Sequence, residues 1–361
     1  MWPWLRALRR IGVLALILCG SFVNAFLVGV ILAPYRAPFI ALNQASHWIT
    51  LLSVLLFAIA VFLKSSTRLL VWLGPGVIAF VIWYLPAWRP RSSPDVSGTP
   101  IIAATYNVNM WGSAKPEEII SVISAVEADV VGLQELSPAL QARLELELRD
   151  HYPYQVSEAV EGYEGFALLS RFPIMESNVI MDVDWYPVDR RVPGYLRAVL
   201  NMNPQYIAVY VIHTPLPIHY IDSYSLAGYL QGLRYALFEY DDGLQLAHMA
   251  HIADLVAAET IPVLVLCDCN STPHSRQYEV LDKVMDDAYD AQGWGLGLSH
   301  PVKPFRMLRL DYIWYSSEFS VVDATVWSES GTSDHYPIRT RLALDMPRAN
   351  LVTPYGDGRI E

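Results

Sequence analysis

Charged side chains are scarce in this sequence, and positive ones are especially scarce in its C-terminal part. Lys, Arg, Asp and Glu make up 17% of the 361 residues and hydrophobic residues 53%, a composition too apolar for an ordinary soluble domain. Residues 1–99 hold eight of the 25 Lys and Arg but one of the 36 Asp and Glu, which leaves residues 100–361 with a net charge of −18. So acidic a surface repels a phosphate backbone and disfavours nucleic acid as a partner.

Cysteine is almost absent, which excludes a disulfide-stapled scaffold. Of the three cysteines, Cys19 falls in an apolar run, while Cys267 and Cys269 flank Asp268. On an extended strand, residues i and i+2 lie about two strand rises apart, further than comfortable disulfide geometry allows. We therefore expect Cys267 and Cys269 to be small core residues.

Long apolar runs occur only near the N-terminus, at residues 11–33, 38–63 and 69–85. Each is long enough to cross a hydrocarbon core of about 30 Å. They predict an all-α transmembrane anchor of three helices over residues 1–88. A cleaved signal peptide could imitate the first run, but two more runs follow and no small-residue cleavage site is obvious.

The Lys and Arg residues of the short loops predict the orientation of this anchor. Positive residues accumulate on the cytoplasmic side of a membrane. Here they are Arg6, Arg9 and Arg10 before the first run, Arg36 after it, Lys64 and Arg68 after the second, and Arg89 and Arg91 after the third. This distribution favours a cytoplasmic N-terminus, so three crossings place the rest of the chain outside the cytoplasm.

A linker rich in Pro, Ser and Gly follows at residues 89–100, and residues 346–361 form a C-terminal tail. Between them, residues 101–345 show apolar strands alternating with helices. The first strand ends on Asn107 and Asn109, and the second on Glu135. A carboxylate at the carboxyl edge of a buried strand, after a β-helix-β unit, is where an α/β sheet presents a metal ligand. A capping or solvated glutamate is the alternative.

Later strands end in the same way. Residues 206–212 lead to His213, residues 261–266 lead to Asp268 and Asn270, and Asp311 opens another apolar run. The turn that contains Asp334 and His335 comes last. An imidazole that follows two acids in this way suggests a carboxylate-oriented histidine, although such a pair in a loop is often simply solvated. His248 and His251, at i and i+3, are better explained by helix packing.

The segments TYNVN, VVGLQEL, FALLSRFP, VIHTP, LVLCDCNSTP, RLDYIWYS and SDHYPI occur in this order across residues 101–343. In this set the sequence resembles the endonuclease/exonuclease/phosphatase (DNase I-like) superfamily of metal-dependent phosphoesterases. The resemblance implies an α/β four-layer sandwich, with a two-sheet core and outer helices. It also implies a hydrolase of phosphoric ester bonds that uses Mg²⁺ or Mn²⁺.

The resemblance assigns roles at matching positions. Glu135 resembles the family's Mg²⁺-binding glutamate, with Asn107 and Asp334 contributing to the metal site. Asp268 and Asn270 match the Asp-x-Asn pair that orients the attacking water and the phosphate. This chain departs from the pattern by placing a cysteine on each side of that aspartate, where the family usually has Gly and an aromatic residue.

Two histidines complete the implied site. His335 resembles the family histidine, with Asp311 as its carboxylate partner, and acts either as a base or by stabilising negative charge. His213 resembles a second histidine that binds phosphate or protonates the leaving oxygen. The candidate substrate-binding residues are Asn109, Glu164 and Arg197.

The substrate is less defined. Segment 215–243 has many aromatic and few charged residues, which fits a lid, a surface that leans on the bilayer, or ordinary loop packing. Arg190, Arg191 and Arg197 form a cationic cluster that could hold one phosphate headgroup. Three functions stay open: a membrane-anchored phosphodiesterase acting on a phospholipid headgroup or a small phosphodiester, a membrane-anchored DNase I-like nuclease, and a catalytically idle phosphate-binding module.

Overall fold

The computed structural model of the chain describes residues 3–92, 94, 98–109, 115–159, 165–180, 194–217, 226–301 and 305–345. Its N-terminal part is helical. The helices there are α1 (Pro3–Leu32), α2 (Ala37–Gln44), α3 (Ser46–Phe62) and α4 (Thr67–Trp83), followed by a 3₁₀ turn (Leu85–Trp88).

The three predicted apolar runs are therefore helical, but the second is broken. α2 and α3 meet at an angle of 73°. Among the described residues, α1 is the one helix that is long and apolar enough to cross a membrane unaided, through Ala7–Leu32. The bent α2–α3 pair reaches that length only if it is one span, and α4 has 17 residues.

The described residues of the C-terminal part form two six-stranded sheets. The first contains β1 (Thr99–Asn107), β2 (Val130–Leu136), β3 (Tyr154–Glu158), β4 (Gly165–Ser170), β11 (Phe319–Val326) and β12 (Ile338–Leu344), in the order β11-β12-β1-β2-β4-β3. The second contains β5 (Ile174–Ile180), β6 (Tyr195–Asn201), β7 (Tyr206–His213), β8 (Val263–Asp268), β9 (Asp286–Asp287) and β10 (Asp311–Tyr315), in the order β5-β6-β7-β8-β10-β9.

The described residues of this part also form helices. They are α5 (Pro116–Val126), α6 (Pro138–Glu147), α7 (Leu226–Arg234) with a π-helical turn (Tyr235–Glu239), α8 (Gly243–Ala257), α9 (Arg276–Leu281) and α10 (Ala288–Gln292). α5 and α6 pack on the outer face of the first sheet, and α8 and α9 on that of the second. The predicted four-layer sandwich is thus confirmed for this part of the chain.

A buried apolar layer lies between the two sheets and holds them together. Side chains such as Phe166, Leu264 and Ile313 fill this layer. At Gly132 the sheets come so close that a Cβ atom would lie 2.8 Å from Leu266 and 3.0 Å from Val211. A side chain at position 132 would force the sheets apart, so glycine is required by packing.

Cys267 and Cys269 form a disulfide, so the expectation of two unbonded core cysteines is wrong. Their Cα atoms are 5.3 Å apart, less than the about 6.6 Å of two full strand rises. The shorter distance arises because β8 ends at Asp268 and the chain bends there. The disulfide joins the neighbours of Asp268 on both sides.

This disulfide predicts the number of reactive thiols. Full-length protein purified without reductant, denatured and treated with a maleimide-polyethylene glycol should gain one label, on Cys19, which is the free cysteine. After reduction it should gain three labels. A Cys19→Ser variant should gain none before reduction, and three labels without reductant in the parent chain would contradict the pairing.

Candidate active site

The polar strand ends predicted from the sequence meet at one edge of the sandwich. β7 and β8 are parallel, with His213 beside Asp268, so the two residues end their strands together. β10 is antiparallel to β8 and begins with Asp311 beside Asp268. In the other sheet, β1 and β2 are parallel and place Asn107 next to Gln134. Parallel strands finish at the same edge, which explains the convergence.

Asn107 links the two sheets at this edge. Its side-chain amide is fully buried, and Nδ2 donates to Glu135 Oε1 and to Asp268 Oδ2, both at 2.8 Å. One amide group therefore holds two carboxylates from different sheets. Unsatisfied carboxylates in so buried a place would be costly, so this bridge stabilises the cluster.

An unusual backbone conformation orients several of the site's side chains. Glu135 has φ of 56° and lies at a register shift in the pairing of β2 with β4. Asn109 and Asn270 also have positive φ, at 50° and 43°. Asparagine tolerates the left-handed region, but glutamate rarely adopts it. The strained backbone at Glu135 marks a position held by its surroundings, as is common at functional sites.

The cluster suits a hard divalent cation. One ligand atom each from Glu135, His213 and Asp268 lies within 4.8 Å of the others. Two of these are carboxylate oxygens, and oxygen ligands are what Mg²⁺ prefers. Glu135 and Asp268 concentrate negative charge that such a cation would neutralise, and Asn107 keeps both in place. These residues therefore fit a metal ion.

His335 and Asp311 form a buried pair next to this cluster. His335 Nδ1 lies 2.9 Å from Asp311 Oδ2, which also accepts a hydrogen bond from Ser299 Oγ at 2.6 Å. The opposite ring nitrogen, Nε2, faces Asp268 Oδ2 at 3.7 Å. Ser333 joins this turn to β1, because its hydroxyl donates to the Asn107 carbonyl and accepts from the His335 amide.

The charges of these groups follow from their burial and their neighbours. Burial would lower the pKa of His335, but the charges of Asp311 and Asp268 outweigh it and raise that pKa to about 10. Burial would raise the pKa of Asp268, but the charge of His335, the neighbouring His213 ring and the hydrogen bond from Asn107 hold it well below its usual range. Burial and the charge of Asp268 raise the pKa of Asp311. At neutral pH the site thus contains an imidazolium between carboxyl groups.

His213 and Asn270 form the next contact. Asn270 Nδ2 lies 2.9 Å from His213 Nε2 and donates to the Thr214 carbonyl at 2.8 Å. Because an amide nitrogen can only donate, His213 Nε2 accepts this bond. The same ring nitrogen is 3.4 Å from Asp268 Oδ2 and 3.8 Å from Glu135 Oε1.

Asn109 and Asp334 contact each other near His335. Asn109 Nδ2 donates to Asp334 Oδ1 at 2.7 Å. Asp334 belongs to a group with His300 and His335, whereas Glu135 belongs to a group with His213 and Asp268. Among the described residues, no group of three or more whose ligand atoms lie within 4.8 Å of one another contains both Asp334 and Glu135.

His300 and Ser299 are site residues that sequence reasoning missed. The His300 ring lies 4.4 Å from that of His335, and its Nε2 is 3.5 Å from Asp334 Oδ2. Both missed residues follow a glycine-rich loop and end no long strand. In the sequence, the signal for Ser299 and His300 is that they form a polar pair shortly before the predicted strand at Asp311. This signal is weak.

Arg197 is not part of the cluster. Its Nε and Nη2 atoms donate to Glu259 at 2.6 and 3.0 Å, and Tyr210 donates to the same carboxylate. The guanidinium is therefore used in an ion pair away from the site, because Arg197 faces Tyr210 in the sheet rather than His213. Glu164, Arg190 and Arg191 lie outside the described residues.

Comparison with known proteins places this site in a family. A family model described as the Endonuclease/Exonuclease/phosphatase family matches residues 104–335, a span that contains the whole cluster. The chain belongs to this family. Its members are mostly hydrolases of phosphoester bonds and generally depend on divalent metals. The N-terminal helices lie outside the match.

Solved structures agree on the fold. A conserved protein of unknown function from Enterococcus faecalis has a TM-score of 0.53 at 17% identity, with 68% of this chain and 100% of that chain covered. A family protein from Bacteroides thetaiotaomicron has a TM-score of 0.51 at 15% identity, covering 70% and 100%. One from Beutenbergia cavernae has a TM-score of 0.50 at 18% identity, covering 68% and 72%. A search of curated proteins found no match.

The pairing of His335 with Asp311 predicts a pKa change. In Asp311→Asn, the imidazolium loses an adjacent negative charge, so the pKa of His335 should fall by about one to three units. Histidine NMR signals of the metal-free protein, assigned with a His335→Gln variant, would measure it. Asp323→Asn, which removes a half-buried carboxylate paired with Arg341, should leave the titration unchanged. An unaltered pKa in Asp311→Asn would contradict the pairing.

Proposed function

We propose that this protein is a membrane-anchored, Mg²⁺-dependent phosphoesterase that hydrolyses a phosphodiester, on a lipid headgroup or a small molecule, by in-line attack of an activated water. The observation that carries the proposal is the buried edge where Asn107 bridges Glu135 and Asp268 beside the His335–Asp311 pair. Hydrolysis of a phosphodiester needs charge neutralisation, an aligned water and a proton for the leaving oxygen.

Glu135 and Asp268, held by Asn107, are the residues that would bind the cation, and we propose Asp334, from the neighbouring group with His300 and His335, as a further ligand. A bound Mg²⁺ would neutralise charge on the phosphoryl oxygens. Mn²⁺ takes similar oxygen ligands and would serve in its place.

The side chains supply the remaining requirements. The Asp268 carboxylate orients the water, and Asn270 orients the phosphate. His213 Nε2 accepts from Asn270 and so carries no proton, and it lies 3.4 Å from Asp268 Oδ2. It can therefore take the proton that the oriented water loses and return it to the leaving oxygen. His335 is charged at neutral pH, because the pKa is raised to about 10. We therefore propose that it stabilises negative charge on the phosphate and is not the base.

The proposed architecture is an anchor over residues 1–88, a linker at 89–100, a catalytic domain at 101–345 and a tail at 346–361, with the domain outside the cytoplasm. The length and apolar character of α1 support the anchor. The Cys267–Cys269 disulfide supports the compartment, because disulfides persist mainly in oxidising environments.

A lipid substrate is supported by charge and by one exposed surface. The acidic catalytic part lacks the excess of Lys and Arg that DNA binding requires. In segment 215–243, Leu230, Leu233 and Phe238 are 60%, 54% and 74% exposed. The π-helical turn that contains Phe238 packs near α2. Exposed apolar side chains beside a membrane anchor fit contact with a bilayer surface.

Release of phosphate or headgroup by the full-length protein tests this function. With Mg²⁺, we expect turnover of a member of a panel of phospholipids, sphingomyelin and inositol phosphates, and not of plasmid DNA. His335→Ala should lower kcat about 10²–10³-fold, because it removes a positive charge next to the phosphate. His151→Ala changes an exposed histidine and should have no effect. Turnover of DNA alone would favour the nuclease, and no turnover would favour the binding module.

Metal binding can be tested separately from turnover. Asn107→Ala removes the amide that holds both carboxylates, so Mg²⁺ affinity measured by calorimetry should fall about 10–100-fold. Asn178→Ala, an exposed asparagine on β5, is the matched control and should bind as the parent does. Equal affinity in Asn107→Ala would place the metal elsewhere.

A further inference from the structure

The N-terminal helices contact the catalytic part through the junction of α2 and α3. We call residues 43–48 the elbow. The elbow makes hydrogen bonds with two loops of the catalytic part, one at residues 270–275 and one whose described residues are 299–301 and 305–308. We propose that the elbow positions these loops for catalysis, with Gln44 and Trp48 as positioning residues. This inference rests on the proposed function of the site.

The first loop follows Asp268 and contains Asn270. Gln44 Oε1 accepts two hydrogen bonds from Thr272, one from the backbone amide and one from the hydroxyl, both at 2.9 Å. Asn43 Nδ2 donates to the His274 carbonyl at 2.7 Å. Thr272 is buried, and hydrogen bonds shielded from water hold geometry more strongly than exposed ones.

The catalytic part holds the same loop from its other side. Gln245 Nε2 donates to the Asn270 carbonyl at 2.7 Å, and the Tyr312 hydroxyl donates to the Ser271 carbonyl at 2.7 Å. Asn270 therefore lies in a loop fixed both by its own domain and by the elbow. Without Gln44, the Thr272 amide would lose its partner and this side of the loop would be held only through His274.

The second loop is held at one carbonyl. The Met307 carbonyl accepts hydrogen bonds from His47 Nε2 at 2.7 Å and Trp48 Nε1 at 2.8 Å. The Trp48 ring also packs edge-on against Phe305, with ring centroids 6.4 Å apart. Two donors on one carbonyl oxygen leave that peptide little freedom to rotate.

A short chain of bonds connects this carbonyl to the catalytic pair. The Met307 amide donates to the His300 carbonyl at 3.0 Å. The preceding residue, Ser299, donates from its hydroxyl to Asp311 Oδ2 at 2.6 Å, and Asp311 Oδ2 is the partner of His335. Movement of the loop would therefore alter the orientation of His335.

Both loops thus lie between the elbow and the reacting groups. Displacing a catalytic group by about 1 Å can lower a rate about 100-fold. Loss of one elbow contact should have a smaller effect, because each loop has other supports. We expect a loss of about tenfold in kcat with little change in KM, since the elbow contributes no side chain to the phosphate site.

The test compares variants of Gln44 in the full-length protein in detergent. Gln44→Leu removes the acceptor for both Thr272 hydrogen bonds, whereas Gln44→Glu keeps an acceptor oxygen at the same distance from the backbone. Hydrogen–deuterium exchange at residues 269–275 should be faster in Gln44→Leu and close to the parent in Gln44→Glu. With bis(4-nitrophenyl) phosphate and Mg²⁺, kcat should fall about tenfold in the first variant and recover largely in the second.

Two further variants serve as a control and as an independent test. Gln292→Ala removes another hydrogen bond, from the end of α10 to the Ser92 carbonyl in the linker, and α10 carries no site residue. It should change neither exchange nor kcat. Trp48→Phe is a milder change that removes one donor to Met307 and should quicken exchange at residues 299–308 even if Gln44→Leu folds poorly.

The outcomes separate the two proposals. Unchanged exchange in both Gln44→Leu and Trp48→Phe, or a Gln44→Glu variant as impaired as Gln44→Leu, would overturn the positioning role. Equal kcat in the parent and Gln44→Leu would show the elbow to be only a tether, and would equally overturn it. If the parent hydrolyses nothing, the proposed function fails, while exchange still decides whether the elbow holds the loops.

Discussion

The side-chain amide of Asn107 is the contact on which the site depends. It comes from the first sheet and holds Glu135 of that sheet and Asp268 of the second, at 2.8 Å each. Two carboxylates repel each other, and burial makes that repulsion stronger. A neutral donor that bridges them reduces the cost without introducing a competing positive charge. The sandwich can therefore present a concentrated negative charge at its edge and still remain closed.

The rest of the edge is organised to balance this charge. The His335 imidazolium lies between Asp311 and Asp268, and the neighbouring carboxylates raise its pKa to about 10. His213 faces Asp268 from the other side. One imidazolium cannot neutralise all the carboxylates of the edge, which is why a divalent cation fits the remaining negative charge. The same arrangement would bind a phosphate, because the cation and His335 both offer positive charge to its oxygens.

The N-terminal helices also contribute contacts that support the site. They lie outside residues 104–335, the part that matches the family model, yet they contact loops on both sides of the catalytic cluster. Under the proposed function, the exposed apolar residues near α2 would face the lipid surface that presents the substrate. An anchor that also supports the site would couple catalysis to the place where such a substrate is found.

The sequence by itself determined the strands and what lies at their ends. Apolar runs of strand length are local, and they predicted that Asn107, Glu135, His213, Asp268 and Asp311 finish or begin strands at one edge. It also predicted the partnership of His335 with Asp311, through the resemblance in the order of its motifs. These features were accessible because hydrophobic periodicity and motif order are properties of short segments.

Only the tertiary structure decided the contacts between loops. The Cys267–Cys269 disulfide depends on a bend at Asp268, and a regular strand would have separated the two residues. The sequence suggested that Arg197 binds phosphate, but in the structure it pairs with Glu259, 62 residues later in the chain. Ser299, His300 and the elbow make side-chain contacts with distant segments that no residue pattern encodes. Such contacts depend on how loops of different segments pack together, and this is set by the whole fold rather than by any stretch of sequence.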